Sequence, residues 1–177
     1  MEIGFRDLCK NDKGYFFSWI KDKEVIKYSL SIFQKMKSDE DISRWFDKLL
    51  VDKSSYKKAI VDMTKKKIIG YAGIADISET NLSGEYFIFI GDKSYHGKGV
   101  GTYVTKEIVK QGFENLNLNR IMLTAFEKNI SAKKAYSKAG FKMEGIMRES
   151  SYRYGEFYDK ILMSILKEEY LDEGREH

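Results

Sequence analysis

The sequence predicts an α+β fold built on a mixed, mainly antiparallel sheet. Three runs of β-branched and aromatic residues with short connections indicate an antiparallel meander, at Tyr56–Asp62, Ile68–Ala75 and Glu85–Ile90. Segments with apolar residues at helical spacing lie before and after this meander. Two more strand-like runs, Phe141–Ile146 and Phe157–Leu166, close the chain. Strands and helices are therefore both predicted, with most strands in antiparallel pairs.

Two helices rich in aromatic residues are predicted before the meander. Residues 2–8 are expected to form a short first strand, and Gly14–Lys21 has helical spacing of its apolar residues. Ser38 is a favourable N-cap for the second helix, with Asp41 as its capping-box partner. The apolar face of that helix contains Ile42, Trp45, Phe46, Leu49 and Leu50. Both helices are predicted to cover the core; alternatively, they line a substrate pocket.

The second half of the chain continues the same pattern as one domain. A helix is predicted from Thr102 to about Asn115, then a strand at Ile121–Phe126 and a short helix over 129–139. We expect one domain over residues 1–167. Residues 168–177 are charged and are predicted to form a tail that frays.

Composition excludes several classes of protein. The 177 residues include 31 basic and 27 acidic ones, a net charge of +4, and the charges are interspersed, which argues against a nucleic-acid surface. The chain has a single cysteine, Cys9, so it has no disulfide framework. It also lacks the apolar run of roughly 18 residues that a membrane span needs, and it lacks a signal peptide. These features predict a cytoplasmic protein without membrane or nucleic-acid partners.

Histidine is too scarce for several common catalytic sites. The chain has two histidines, His96 and His177. A Ser/His/Asp triad, a Cys/His pair and a His-rich zinc site are therefore improbable, and no metal is expected. Proton transfer must instead use carboxylates, tyrosines, water or the backbone.

The most informative stretch is Ile88–Thr102, which has the pattern of a strand, a glycine-rich turn and the start of a helix. Gly97, Gly99 and Gly101 leave their backbone N–H groups free of side-chain obstruction. A helix N-terminus behind such a turn adds unpaired donors and the positive end of the helix dipole. This combination predicts a site for phosphate or pyrophosphate.

Two nucleotide-binding motifs fit this turn poorly. In a Walker A loop, Gly99 stands where Ser or Thr must bind magnesium, and Asp92 stands where the first glycine belongs. In a dinucleotide fingerprint, Thr102 replaces the third glycine, and an antiparallel meander precedes the turn where a parallel βαβ unit is expected. ATP and NAD are therefore disfavoured as the ligand. Because NAD is disfavoured, a dinucleotide-binding oxidoreductase is disfavoured as the class of protein.

The turn instead resembles the signature loop of the GNAT acyltransferases, [QR]-x-x-G-x-[GA]. His96–Gly101 reads HGKGVG, with His96 in the usual Gln or Arg position. Asn129–Phe141, reading NISAKKAYSKAGF, is similar to the second family segment, N-x-x-A-x-x-[LA]-Y-x-K-x-G-F. The continuation from Glu144 to Asp159 resembles the branch of spermidine, ribosomal-protein N-terminal and nucleotide-sugar N-acetyltransferases. The likeness covers nearly the whole chain and is most specific from Ile88 to Phe141.

This resemblance implies a GNAT fold with helices on both faces of the sheet, and acetyl-coenzyme A as the cofactor. The strand before the turn would splay from its neighbour and let the pantetheine pair with exposed backbone. An N–H at the end of that strand would polarise the thioester carbonyl. The residues expected to bind the cofactor are Phe89, Ile90, His96, Gly97, Lys98, Gly99, Val100, Gly101, Thr102, Asn129, Ala132 and Tyr136.

Direct attack by the amine requires a proton donor for the thiolate and a route for the amine proton. Tyr136 is the predicted general acid, since a phenol is protonated at neutral pH; alternatively, its ring packs on the cofactor. Glu85 is the predicted base, with a water chain or an ordinary strand position as the alternatives. Asn129 is expected to bind the pantetheine or a catalytic water, or to act as a plain helix N-cap, and both can hold.

The acceptor is the least determined feature. A small-molecule amine is predicted: a polyamine, an amino sugar or an aminoglycoside. A protein N-terminus and a non-catalytic coenzyme A-binding module are the alternatives, and a homodimer is possible. The residues expected to contact the acceptor, each with a purely structural alternative, are Trp19, Glu40, Arg148, Tyr152 and Asp159.

Overall fold

The computed structural model describes residues 1–173, with the backbone alone at residue 173. It contains seven strands and six α-helices, so the α+β class is confirmed. The strands are β1 (Ile3–Arg6), β2 (Tyr56–Asp62), β3 (Lys67–Ser78), β4 (Ser83–Ile90), β5 (Arg120–Phe126), β6 (Lys142–Arg153) and β7 (Glu156–Leu166). The helices are α1 (Lys13–Lys21), α2 (Lys23–Ile26), α3 (Asp39–Val51), α4 (Val100–Glu114), α5 (Ile130–Lys138) and α6 (Lys167–Glu173).

The strands form one mixed sheet in the order β1-β2-β3-β4-β5-β7-β6. The pairs β1–β2, β5–β7 and β6–β7 are antiparallel, whereas β4 and β5 are parallel. The parallel pairing joins Ser83–Glu85 to Arg120–Met122, although β5 continues to Phe126. Beyond Met122, β5 remains paired with β7. The predicted mainly antiparallel sheet is therefore confirmed, and its parallel contact is short.

The chain divides into two compact units. The first contains Met1–Gly73 and Ile88–Val100, and the second contains Ile74–Phe87 and the chain from Gly101 onward. The core of the first unit is aromatic. Phe16 packs within 4.9–5.7 Å of four other rings, measured between centroids. This cluster consists of Phe16, Trp19, Phe33, Trp45, Phe46, Tyr71 and Phe89.

The second unit has a mainly aliphatic core. Helix α4 contributes Val104 and Ile108, both at most 1% exposed, because its apolar residues recur at helical spacing. Gly112 lets this helix approach the sheet closely, since a Cβ there would lie 2.6 Å from Ile74 and from Ile121. Strands β6 and β7 form a hairpin whose turn residues Tyr154 and Gly155 have φ of 52° and 86°. Two positive φ angles match the turn type that two-residue hairpins favour.

Element bounds differ from the expected ones where long-range packing decides them. Helix α4 begins at Val100, two residues before the expected start, and β6 extends through the segment expected to be a polar connection. The expected charged tail is helical as far as the described residues reach. Tyr170 there packs on Phe113, with the ring centroids 5.3 Å apart, and donates a hydrogen bond to Glu114. Residues 174–177 of that tail, with His177, lie outside the described residues.

Within residues 1–173, no helix has both the length and the apolar character that crossing a membrane would require.

Candidate active site

Two glycines of the turn adopt a backbone conformation that glycine favours. Gly97 and Gly99 have φ of 70° and 79°, a conformation that residues with a Cβ adopt at a cost. A Cβ built on either glycine would meet no atom within 4 Å, so the turn is surrounded by open space. Gly97, Lys98 and Gly99 are all exposed. The turn thus presents its backbone to solvent immediately before α4.

The first turn of α4 carries no acidic residue. The first N–H groups of a helix have no partner within the helix, and they lie at the positive end of its dipole. Val100, Gly101 and Thr102 form this turn. Because no carboxylate of the turn competes for these donors, the site fits an external phosphate or pyrophosphate.

The segment between β4 and the glycines is tightly held in the first unit. Tyr95 is 4% exposed, and its hydroxyl donates to Asp62 Oδ2 at 2.6 Å. Burial would raise the pKa of Asp92, but hydrogen bonds from Lys67 and Ser94 outweigh it and hold that pKa at about 2. The Asp92 carboxylate therefore stays charged and fixes the chain just before the exposed turn.

His96 is exposed, and its ring contacts the end of β4. Its Nε2 lies 2.9 Å from the carbonyl oxygen of Ile90. A carbonyl can only accept, so Nε2 carries the proton and donates. The side chain that replaces the usual Gln or Arg thus fastens the turn to the strand whose end, Phe89–Ile90, is expected to bind the thioester. Sequence reasoning did not anticipate this contact.

Asn129 is the N-cap of α5, as one of its two expected roles requires. Its Oδ1 accepts from the Ala132 N–H at 3.3 Å and from the Ser131 hydroxyl at 3.0 Å. The amide NH₂ group is a separate donor and takes no part in this cap. Capping and ligand binding by Asn129 are therefore compatible.

Tyr136, on α5, lies in a cluster of three rings in the second unit. Its ring meets those of Tyr86 and Phe141 at centroid distances of 6.0 and 6.2 Å. Burial raises the pKa of Tyr136 to about 12. The phenol consequently carries its proton throughout the physiological range, which is the state that a proton donor needs.

Glu85 is half-buried on β4. Burial and the charge of Asp76 raise its pKa, while Lys160 and a hydrogen bond with Thr124 act in the opposite direction. Thr124 and Lys160 lie on β5 and β7 of the same unit. A carboxylate with a raised pKa is a better proton acceptor than an ordinary surface glutamate, so the environment of Glu85 suits a general base.

Lys160 and Arg153 stack on Phe126, another arrangement that the sequence did not reveal. Their cationic groups lie 5.4 and 4.3 Å from the ring centroid, and Arg153 is 3% exposed. Burial lowers the pKa of both side chains. No local sequence signal identifies these contacts, because they depend on the register of β5, β6 and β7.

The residues expected to contact the acceptor occupy different environments. Trp19 is 6% exposed in the first unit and packs on Gly91, where a Cβ would lie 2.0 Å from the indole. Glu40 is exposed in the first turn of α3. Arg148, Tyr152 and Asp159 lie on the β6–β7 hairpin in the second unit.

Two of these hairpin residues have visible structural contacts. Tyr152 is 63% exposed and packs against Phe157, with the ring centroids 4.9 Å apart. Asp159 Oδ1 accepts the N–H of Glu149 at 2.7 Å. Glu149 has φ of 49°, within the irregular stretch where the pairing of β6 with β7 shifts register. Asp159 thus stabilises this irregularity, whereas Arg148 is simply exposed.

An exposed glycine turn that leads directly into a helix N-terminus without acidic residues is the kind of backbone that binds a phosphate-bearing ligand. The acetyltransferase (GNAT) domain model matches residues 2–142. The chain belongs to this family, and it is an N-acetyltransferase that uses acetyl-coenzyme A.

Relatives of similar length support this assignment. The uncharacterized N-acetyltransferase p20 of Bacillus licheniformis is 27% identical over 169 residues, which are 95% of this chain and 94% of that protein. The spermidine N(1)-acetyltransferase of Escherichia coli K12 is 26% identical over 173 residues, 98% and 90% of the two chains.

A solved structure shares the fold. The spermidine N-acetyltransferase of Vibrio cholerae, in complex with CoA and spermine, superposes with a TM-score of 0.85. The match covers 96% of this chain and 98% of that one, at 24% sequence identity.

Proposed function

We propose that the chain transfers the acetyl group of acetyl-coenzyme A to a primary amine of a small molecule, with polyamines as the first candidates. The observation that carries the proposal is the exposed glycine turn at the acid-free N-terminus of α4, which fits a pyrophosphate. The likeness to the Escherichia coli spermidine N(1)-acetyltransferase supports the choice of acceptor. So does the presence of spermine in the Vibrio cholerae structure.

In this proposal, the cofactor's pyrophosphate binds the backbone N–H groups of the turn and the first residues of α4. Lys98, exposed beside these glycines, adds a positive charge for a phosphate. The pantetheine pairs with the end of β4, at Phe89 and Ile90. In the second unit, the N-cap residue Asn129 and Ala132 of α5 are further candidates for contact with the cofactor. The bound cofactor supplies the activated thioester.

The chemistry requires one bond to form and one to break. The amine nitrogen attacks the thioester carbon, the new C–N bond forms, and the C–S bond breaks. Glu85, directly or through water, accepts the proton that the amine loses. Tyr136 donates a proton to the departing sulfur and is then reprotonated. The raised pKa values of both residues are consistent with these roles.

The acceptor is proposed to contact exposed polar side chains. In the first turn of α3, the Asp39 carboxylate pairs with Lys21 at 2.6 Å and that of Asp41 pairs with Arg44 at 2.8 Å. Glu40 is the remaining carboxylate of this turn and is the stronger candidate for a cationic amine. Tyr152 of the β6–β7 hairpin, 63% exposed, is the corresponding candidate in the second unit, whereas the positive charge of Arg148 would oppose a cationic amine.

A panel of amine acceptors tests the proposed function. Release of coenzyme A thiol is measured with spermidine, spermine, an amino sugar, an aminoglycoside and a peptide with a free N-terminus. We expect turnover with the polyamines. Turnover with the peptide alone would replace the proposal by protein N-terminal acetylation. Coenzyme A binding by calorimetry without turnover on any acceptor would indicate a non-catalytic binding module.

Removal of the Tyr136 hydroxyl should affect rate much more than binding. We expect Tyr136→Phe to lower kcat by about 100-fold, within the range for loss of a general acid, because the ring cluster is kept. The Kd for coenzyme A, measured by calorimetry, should stay within about threefold of wild type, as expected for a group that acts in the transition state. Unchanged turnover would contradict the general-acid role.

The pH profile tests Glu85. Because the pKa of Glu85 is raised and the base acts when deprotonated, activity should fall as pH decreases through a pKa higher than that of an ordinary glutamate. Glu85→Gln should lower kcat by about 100-fold at neutral pH. Asp76→Asn is the informative companion, since the charge of Asp76 raises the pKa of Glu85.

In Asp76→Asn, the acid limb of the profile should move to lower pH. A limb that stays in place would instead report protonation of the amine substrate, and Glu85 would not be the base.

We further propose a homodimer formed through β6. This strand lies at one end of the sheet and exposes apolar side chains, including Met143 at 45% and Ile146 at 53%. An exposed apolar edge strand is a frequent site of association. Sedimentation equilibrium would measure the mass in solution, and a monomer at micromolar concentration would contradict the proposal.

A further inference from the structure

Two buried hydroxyl groups of the second unit connect β4 to the start of α4. The Tyr86 hydroxyl lies 3.0 Å from Thr105 Oγ1, and Thr105 Oγ1 lies 2.6 Å from the carbonyl oxygen of Gly101. Tyr86 is 3% exposed and Thr105 is 0% exposed. Water therefore cannot readily replace a lost partner of either group, and such buried polar groups are costly to leave unpaired.

The direction of each hydrogen bond follows from the chemistry of the groups. A carbonyl oxygen only accepts, so the Thr105 hydroxyl donates its single proton to Gly101. Thr105 Oγ1 can then only accept from Tyr86, which must be the donor. The chain of donation runs from Tyr86 to Thr105 to Gly101. Gly101 belongs to the first turn of α4, where the cofactor's pyrophosphate is proposed to bind.

The ring of Tyr86 packs against that of Tyr136. The two rings meet edge to face, with their planes at 82° and their centroids 6.0 Å apart. Phe141 closes the cluster, 6.1 Å from Tyr86 and 6.2 Å from Tyr136. A ring held by two others has little freedom to tilt, so the direction of the Tyr136 hydroxyl depends on where Tyr86 lies.

We propose that Tyr86 and Thr105 are positioning residues that hold the proton donor Tyr136 and the first turn of α4 in a fixed arrangement. The inference rests on the proposed function, in which Tyr136 protonates the thiolate and α4 binds phosphate. Tyr86 acts on Tyr136 through its ring and on Gly101 through its hydroxyl. A displacement of a catalytic group by about 1 Å can lower the rate by about 100-fold, so the positions of Tyr136 and of the first turn of α4 matter for catalysis.

The test uses variants that remove the hydroxyl groups and keep the volumes. Tyr86→Phe and Thr105→Val should each weaken coenzyme A binding by roughly fivefold in calorimetry and lower kcat by a similar factor, the scale of one lost buried hydrogen bond. Because both act through the same link, the double variant should be little worse than either single one. Thr105→Ser retains the hydroxyl and should recover wild-type values within about twofold.

The matched control removes a different tyrosine hydroxyl from the same unit. Tyr170 donates to Glu114, near the end of α4 rather than its start. Tyr170→Phe should leave coenzyme A affinity and kcat unchanged. Equal losses in this control and in Tyr86→Phe would mean that any lost hydrogen bond weakens the enzyme, and would overturn the inference.

Two readouts separate this inference from the proposed function. Coenzyme A affinity depends neither on the acceptor nor on proton donation by the Tyr136 hydroxyl. Unchanged coenzyme A affinity and kcat in Tyr86→Phe and Thr105→Val would overturn the positioning role, even if Tyr136→Phe has a lowered kcat. Additive losses in the double variant would equally overturn it. Non-additive losses with rescue by Thr105→Ser would support it.

Discussion

The N-termini of α3 and α4 differ in how their backbone N–H groups and their helix dipole are used. At α3, the Ser38 hydroxyl accepts from the Asp41 N–H at 3.1 Å, and the Asp41 carboxylate accepts from Ser38 and Lys37. Two more acidic side chains, Asp39 and Glu40, occupy the same turn. At α4, the corresponding turn has no acidic residue and follows an exposed glycine turn.

The difference shows that a helix N-terminus can be capped for stability or left uncapped for anion binding. An N-terminus that is capped by its own side chains and carries its own carboxylates gains stability, and it retains fewer donors and less positive potential for an external anion. An N-terminus whose donors and dipole stay open forgoes that stability and keeps an anion site. Three predictions test whether charge and capping account for this contrast.

The largest effect is expected when α4 is given the acidic character of α3. Gly101 has room for a side chain, since a Cβ there would lie 3.8 Å from Ala135, an ordinary contact. We expect Gly101→Glu to weaken coenzyme A binding by about 100-fold, equivalent to about 2.7 kcal/mol, because the carboxylate repels the pyrophosphate. The melting temperature without ligand should hold or rise, since glutamate favours helix and suits its first turn.

Gly101→Gln is the control for side-chain volume. The increase in Kd that it causes should be no more than about a tenth of the increase caused by Gly101→Glu. Asp39→Asn, the reverse change at α3, should leave coenzyme A affinity unchanged. Equal losses in the Glu and Gln variants, measured by calorimetry, would show that space rather than charge governs the site.

An intermediate effect is expected from removing the cap of α3. Ser38→Ala loses the acceptor for the Asp41 N–H, and the free energy of unfolding should fall by about 1 kcal/mol. Coenzyme A affinity should not change. Chemical denaturation measures the first quantity and calorimetry the second. Ser38→Asn, which keeps an acceptor at the cap, should remain close to wild type.

The smallest effect concerns the pH dependence of that cap. Hydrogen bonds from the Lys37 N–H, from Arg44 and from the Ser38 N–H lower the pKa of Asp41 below 3.8. A lowered pKa in the folded state contributes stability that is present above the unfolded value and is lost as pH falls through the folded one. The difference in melting temperature between wild type and Asp41→Asn should therefore narrow below about pH 4. A difference that is constant from pH 7 to pH 2 would contradict this account.

Features that depend on local sequence could be predicted. Ser38 and Asp41 form the expected capping box, because the side chains that satisfy a helix end lie within four residues of it. The exposed glycine turn also lies where the glycine spacing indicates it, and its positive φ angles at Gly97 and Gly99 are ones that glycine permits. The family could also be identified, since its signature residues are contiguous in two short segments.

Features that depend on strand register could not be predicted. Tyr86 and Thr105 are 19 positions apart, and nothing in either residue type indicates that their hydroxyl groups meet. The same holds for Arg153 and Lys160 on Phe126, which three strands bring together. A one-residue shift in any of these strands would turn a side chain to the other face, and a single sequence does not determine that shift.

The hairpin turn at Tyr154–Gly155 has a consequence for the order of folding. Its two positive φ angles favour direct reversal of the chain, so β6 and β7 can pair on the microsecond scale typical of hairpins, about 1–10 μs. The parallel pair of β4 and β5 is short and forms only after the intervening segment with α4 has closed back on the sheet. Glu85 and Tyr86 lie in β4, so we expect a refolding chain to form the β6–β7 hairpin first and to regain its catalytic competence last.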